Sequence, residues 1–208
     1  MAKIQTNSTA SPLENRVLAL AIEFILKADS MGVLTSPVDT LNLDIEAIIR
    51  AAKDVGDLGI GRRVVINPEL WRTYNADDLC SKLKMLSSIL EESPQPKTEW
   101  KRLRTLLSDE LLAKMTHVSE QSVRRYAAEE RETPDDVASR LHWLALITGD
   151  LQGAYNAAGV RNWFLRPRNS FGGKTPIEML GTEPWNTTDK KPVLVRAFAH
   201  SLLEGMGT

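Results

Sequence analysis

Residues 163–180 read Trp163-Phe164-Leu165-Arg166-Pro167-Arg168-Asn169-Ser170-Phe171-Gly172-Gly173-Lys174-Thr175-Pro176-Ile177-Glu178-Met179-Leu180, and two readings of this run imply different folds. Gly173-Lys174-Thr175 is how a phosphate-binding loop ends, and such a loop follows a strand and precedes a helix. It also needs a glycine five positions before the glycine of its Gly-Lys pair. That position is Arg168, and the residues before it include Pro167 and no β-branched run. The other reading is a loop that closes onto a short, strongly capped helix. Thr175 takes the N-cap, and Pro176 the first helical position, where its missing N–H costs nothing. Glu178 returns a bond to the cap backbone and completes a capping box. Gly172 and Gly173 give freedom for a tight approach, and Gly181 is placed to stop the helix. The capped helix is the better reading, and nucleotide binding at this loop is set aside.

Working outward, the rest of the chain is punctuated in the same way. Ser11-Pro12-Leu13-Glu14 combines a cap, a first-turn proline and a capping-box acid. Val17, Leu20, Ala21, Phe24 and Ile25 then recur at helical spacing. Asn42 caps a second helix with Ile45, Ile48, Ile49 and Ala52 on one face, ending near Gly56. Residues 59–66 are ambiguous between a loop and a short strand. Asn67-Pro68 starts a brief helix through Trp71, and Asn75 to Glu92 forms a longer one with Leu79, Leu83, Leu86, Ile89 and Leu90 inward. Ser93-Pro94-Gln95-Pro96 is the clearest break, because two prolines in three residues cannot continue a helix. Thr133-Pro134-Asp135-Asp136 opens a further helix that carries Val137, Leu141, Leu144, Ala145 and Thr148 on one stripe and runs to about Gly149. Strand signals are almost absent, so the expected fold class is all-α. The expected organisation is a mobile tail over 1–12, an N-terminal helical domain over 13–92, a central domain over 97–150 and a small helical domain over 151–208.

The charge balance excludes little. A formal net charge of −1 over 208 residues gives no global attraction to nucleic acid or membrane. The distribution is uneven, with seven Lys and Arg against four acids in residues 151–208, a local +3 against −4 elsewhere. A solvated face is the common origin of such a bias, and an acidic partner surface the other. Cys80 is the only cysteine, which excludes an intrachain disulfide framework and suits a reducing cytoplasm. No apolar run approaches the roughly 20 residues that span a bilayer, and Met1 to Ser11 lacks the hydrophobic core of a secretion signal.

Residues 109–128 read as a helix-turn-helix. Ser108 caps the first helix, whose Leu112 and small Ala113 face the second. Val118 marks the turn, Ser119 caps the second helix, and Val123 and Tyr126 return to the core. The exposed positions are then Ser119, Glu120, Gln121, Ser122, Arg124 and Arg125, on the part of such a motif that enters the major groove. Gln121 is suited to adenine, and an arginine to guanine or phosphate. The turn position commonly held by glycine is His117, a residue type more tolerant of positive φ than most. A helical hairpin that only packs or dimerises is the plainer alternative, since groove entry needs more than the fold.

With both motifs in view, residues 97–208 resemble an antitoxin of the Xre/MbcA/ParS family, the partners of RES-domain toxins. The resemblance rests on the helix-turn-helix at 109–128, the helix after it, and Val160 to Leu180 with its Trp, Pro-containing loop, Gly-Lys-Thr-Pro run and short apolar helix. It implies a protein that binds and neutralises a toxin that degrades NAD or uses it for ADP-ribosylation, and that commonly dimerises. Some members repress their own operon. Carried onto this chain, the toxin-facing candidates are Trp163, Arg166, Arg168, Gly173, Lys174, Thr175 and Arg196, with the final helix and tail to Thr208. The DNA-facing candidates are Ser119, Gln121, Ser122, Arg124 and Arg125. Trp163 and Phe164 also read as anchors of a small core, and about ninety N-terminal residues have no counterpart in the family pattern.

The competing reading is a solitary transcription regulator whose C-terminal domain mediates oligomerisation or binds another partner. An enzyme is not expected, and neither is a cofactor. His117, His142 and His200 are scattered singly without metal-ligand spacing, and no nucleophile elbow or paired-carboxylate arrangement stands out.

Overall fold

Short polar side chains placed just before apolar runs start most of the helices in this chain. The structure, a computed structural model, describes residues 13–204, the side chains of Leu203 and Glu204 excepted. The expected tail over residues 1–12 lies outside them. Every regular element among the described residues is helical, and none is a strand. In order these are α1 (Asn15–Ser30), α2 (Ile45–Asp57), a 3₁₀ turn (Pro68–Thr73), α3 (Ala76–Glu91), α4 (Pro96–Leu106), α5 (Asp109–Thr116), α6 (Glu120–Ala127), α7 (Asp135–Gln152), α8 (Ala157–Leu165), a second 3₁₀ turn (Asn169–Phe171), α9 (Pro176–Gly181) and α10 (Lys190–Glu204).

The caps at Asn75, Ser108, Ser119 and Thr175 form as their sequence context requires, each side-chain oxygen accepting from the backbone three residues on. Four expected starts or stops differ. α2 is capped by Asp44, whose Oδ1 accepts from the Ala47 N–H at 2.8 Å. Asn42 is two residues too early to reach those donors, and its side chain donates to Asp39 instead. α1 begins at Asn15 with Glu14 extended in the cap position and no side-chain cap bond; Ser11 and Pro12 lie outside the described residues. α7 has Pro134 itself at the N-cap, because the Thr133 hydroxyl is used to accept the buried Trp100 indole N–H at 3.0 Å. Apart from these boundaries, residues 59–66, open between a loop and a short strand, form turns, with the Val64 and Val65 N–H groups both bonded to the Gly61 carbonyl.

The fourth difference concerns Gly149, which lies inside α7 and does not end it; the helix continues to Gln152. The expected single stripe on α7 is also too narrow. Buried positions run all round it and include Ala138, Leu146, Ile147 and Leu151, a pattern that belongs to a helix enclosed by others. α1, α4, α5, α8 and α10 all pack on it. One apolar cluster therefore extends from Val17 in α1 to Ala199 in α10. α1 crosses closely over Gly149, where an added Cβ would lie 2.9 Å from Ser30 Oγ and 3.1 Å from the Leu26 carbonyl oxygen.

Polar side chains in this interior are matched one to another. His142 spans the break at Pro94 and Pro96. Its Nε2–H donates to the Glu91 carbonyl at the end of α3, and its Nδ1 is 2.6 Å from Glu99 Oε1 in α4. Glu99, fully buried, also accepts the Gln95 N–H at the start of that helix. Lys27, 3% exposed, bonds Glu23 and Glu91 at 2.6 Å each. Burial pulls the Lys27 ammonium down, but these two carboxylates outweigh it and hold the group above its ordinary value. Glu91 also takes Arg196 of α10 at 2.9 Å, so its carboxylate ties α1, α3 and α10 together. Asp150 is buried beside His200, and burial pushes its carboxyl up.

Gly149→Ala tests the α1–α7 contact. Helix propensity alone favours alanine by about 0.5–1 kcal/mol, whereas overpacking against the Leu26 backbone costs about 1–3 kcal/mol. A net loss of stability in urea unfolding is the expected outcome, and a gain would show that the two helices are free to separate at this point.

Candidate functional site

Two surfaces present side chains that the interior does not use, and one set of contacts joins them. The first is the α5–α6 pair. α5 ends at His117 in the left-handed conformation (φ 60°, ψ 45°), and the Val118 N–H returns to the Ala113 carbonyl at 3.1 Å. The turn expected at His117 is thus formed by a residue that carries a Cβ. Leu112, Ala113, Val123 and Tyr126 are buried as expected, and Tyr126 stacks on Trp100 with ring centroids 5.7 Å apart.

Gln121, Arg124 and Arg125 are exposed along α6. Ser119 and Ser122 are engaged locally: the Ser119 hydroxyl caps the Ser122 N–H at 3.1 Å and lies 3.0 Å from the Ser122 hydroxyl. Arg124 pairs with Glu120 one turn earlier at 3.6 Å. Arg125 has no ion-pair partner among the described residues.

The second surface is the loop from α8 to α9. Its backbone closes on itself, with the Arg168 N–H donating to the Lys174 carbonyl and the Gly173 N–H to the Arg168 carbonyl, both at 3.0 Å. Gly172 (φ +65°) and Gly173 (φ +82°) are both left-handed and project into open space, which two residues carrying a Cβ would adopt only at a cost. The capping box of α9 is complete. Thr175 accepts the Glu178 N–H, and Glu178 accepts the Thr175 N–H at 2.7 Å and its hydroxyl at 2.8 Å. Those two bonds hold the Glu178 carboxyl below the usual range. Gly181 does not stop α9 in a left-handed turn. It is the last residue of the helix, and a Cβ there would lie 2.8 Å from Lys114 Cγ of α5.

The candidates in this segment divide into an inner and an outer group. Trp163 is 1% exposed and lies in the core, stacked with Phe198 of α10 at 6.3 Å and edge-on to Phe164 at 5.2 Å. The Arg168 guanidinium lies over both rings, 5.5 Å from Trp163 and 5.8 Å from Phe198, a cation–π seat that fixes the side chain. Thr175 is half-buried in its capping role. Arg166, Gly173 and Lys174 form the exposed rim, and neither cation there has an ion-pair partner among the described residues. Arg196 is not part of this rim; it is committed to Glu91 and to the face of Trp143, 4.7 Å from the ring centroid. The tail beyond Glu204 lies outside the described residues.

The two surfaces share a hydrogen-bonded base. His117 Nε2–H donates to the Leu180 carbonyl at the end of α9, at 2.8 Å. The Trp185 indole N–H donates to the Met115 carbonyl at 2.9 Å, and Arg140 Nε to the Thr116 carbonyl at 3.0 Å. Sequence reasoning found each motif but not these cross-links, nor the seat that Phe198 gives Arg168. They join residues 24 or more positions apart, and no local spacing announces them. No group of His, Cys, Asp and Glu suited to a metal occurs among the described residues, and no described helix is long and apolar enough to cross a membrane. No protein-family model, curated protein or solved structure matches the chain.

Replacing His117 separates its two roles. His117→Ala keeps the left-handed strain and loses the bond to Leu180, an expected cost of about 1–2 kcal/mol. His117→Gly loses the same bond but relieves the strain, so it should be the more stable of the two by chemical denaturation. Equal stabilities would mean that the turn relaxes out of the left-handed region.

Proposed function

We propose that this protein is an antitoxin of the Xre/MbcA/ParS type, which binds and neutralises a RES-type NAD-consuming toxin through its C-terminal segment and contacts operator DNA through α6. The observation that carries the reading is the rim of the α8–α9 loop. Arg166 and Lys174 stand exposed without internal ion pairs on a backbone fixed by a complete capping box, the stacked Arg168 and the His117–Leu180 bond. A rigid, preorganised cationic rim suits an acidic partner surface, because little freedom is lost on docking. The binding chemistry is recognition and occlusion, and no catalytic group is assigned.

Co-expression with the product of the neighbouring gene, followed by measurement of cellular NAD and of co-elution, tests the reading. The double variant Arg166→Glu, Lys174→Glu should weaken the complex by about 10–100-fold. Both residues are exposed, so stability should stay within about 0.5 kcal/mol of the parent. Absence of a complex, or one indifferent to both reversals, would remove the proposal's main support.

The α5–α6 geometry favours a second reading, a DNA-binding regulator acting without a toxin. Gln121, Arg124 and Arg125 share the exposed face of α6. Arg124→Ala with Arg125→Ala should weaken DNA binding and reduce the salt slope by up to about 2, as fewer counterions are released. Unchanged binding and slope would exclude this docking geometry.

A further inference from the structure

Two arginines of this chain are half-buried against aromatic rings, and they differ in one respect. Arg196 lies over Trp143 and completes its charge with Glu91 at 2.9 Å. Arg168 lies over Trp163 and Phe198, its guanidinium carbon 5.5 and 5.8 Å from the two ring centroids, and no described residue accepts a bond from it or pairs with it. Its Nε is closed off from solvent without a partner, whereas the two Nη atoms are not closed off. The end of the guanidinium fork is therefore what the surface offers. The Trp163 indole N–H of the same cluster is also buried without a partner, and two donors cannot satisfy each other. Between Trp163 and Thr182 the only acid is Glu178, whose carboxylate is taken by the Thr175 N–H and hydroxyl. The backbone beneath the arginine is closed as well: the Arg168 N–H donates to the Lys174 carbonyl, and the Arg168 carbonyl accepts from Phe171 and Gly173. Arg168 thus has the aromatic seat of Arg196 without its carboxylate.

We propose that Arg168 is the specificity-determining residue of the α8–α9 loop and receives an Asp or Glu carboxylate of the partner protein end-on across its two Nη atoms. The inference rests on the toxin-binding reading and adds to it the group that is recognised. A carboxylate accepts two parallel N–H bonds from the fork, and a guanidinium already held on two rings loses little freedom in making them. A lysine at this position would supply the charge but not the paired bonds. Arg166 and Lys174 at the exposed rim attract an acidic surface without fixing its register; Arg168 asks for one carboxylate at one place.

The test uses the full chain, ¹⁵N-labelled at its arginine side chains, with the product of the neighbouring gene as the probe. In the free chain the Arg168 Nη–H protons exchange with water. In the complex they should appear as resolved resonances moved downfield, assigned through bonds to the Arg168 backbone. The dissociation constant of Arg168→Lys should rise at least about tenfold, with the amide spectrum of the free variant otherwise as in the parent. Resolved Nη–H resonances together with that loss bear the proposal out. A complex that forms with no change at the Arg168 Nη–H groups, or one that Arg168→Lys enters as tightly as the parent, overturns it and leaves the toxin-binding reading standing. Absence of any complex with the parent chain overturns that reading, and this inference with it. The resonance measurement uses the unmodified chain, so it decides the question even if Arg168→Lys fails to fold. An arginine that only held Trp163 and Phe198 in place would leave those resonances unmoved.

Discussion

Enclosing α7 on all sides is the constraint on which the rest of this structure depends. A helix of 18 residues with apolar positions around its whole circumference cannot rest on the surface of a bundle. It needs neighbours on each face, and the chain supplies them from both sides of the Pro94–Pro96 break: α1 on one side, α4 and α5 on another, α8 and α10 on the remainder. Gly149 lets α1 approach to a distance that a side chain would block. The N-terminal helices therefore share a core with the central ones.

Burying α7 also buries what it carries. Arg140, His142 and Asp150 are enclosed, and a buried polar or charged group must find partners or cost several kcal/mol. Each partner lies on a different neighbour. Arg140 reaches the end of α5, His142 joins α3 to α4, and Asp150 faces His200 of α10. Such contacts add less to net stability than to the choice of one arrangement, because removing one member leaves the other unmatched. The Lys27–Glu91–Arg196 chain extends the same logic to α1 and α10. The elements that carry the exposed face of α6 and the α8–α9 loop are tied to one another by the same kind of contact.

The sequence made the periodic and capped features legible. Asn75, Ser108, Ser119 and the Thr175–Glu178 box were readable because a cap acts over three residues and needs no distant partner. His117 was placed at the turn by the helix-turn-helix frame, as a departure from the glycine usual there, and the structure forms the left-handed turn at it. Where local reading failed, a distant group had intervened. Thr133 was drawn away from its cap by Trp100, and Gly149 was kept within α7 by packing against α1. Arg196, a candidate by its place in the C-terminal segment, is also held by Glu91 and the face of Trp143.

The sequence by itself determined that the described residues are helical and where α3, α5, α6 and α9 start, because these follow from backbone propensity, capping and a period of 3.6 residues. Tertiary structure alone decided that α7 is central, that Trp163 and Phe198 seat Arg168, and that His117 locks onto the end of α9. Those outcomes rest on contacts between residues tens of positions apart, whose free energy depends on how the helices pack and not on what is adjacent along the chain.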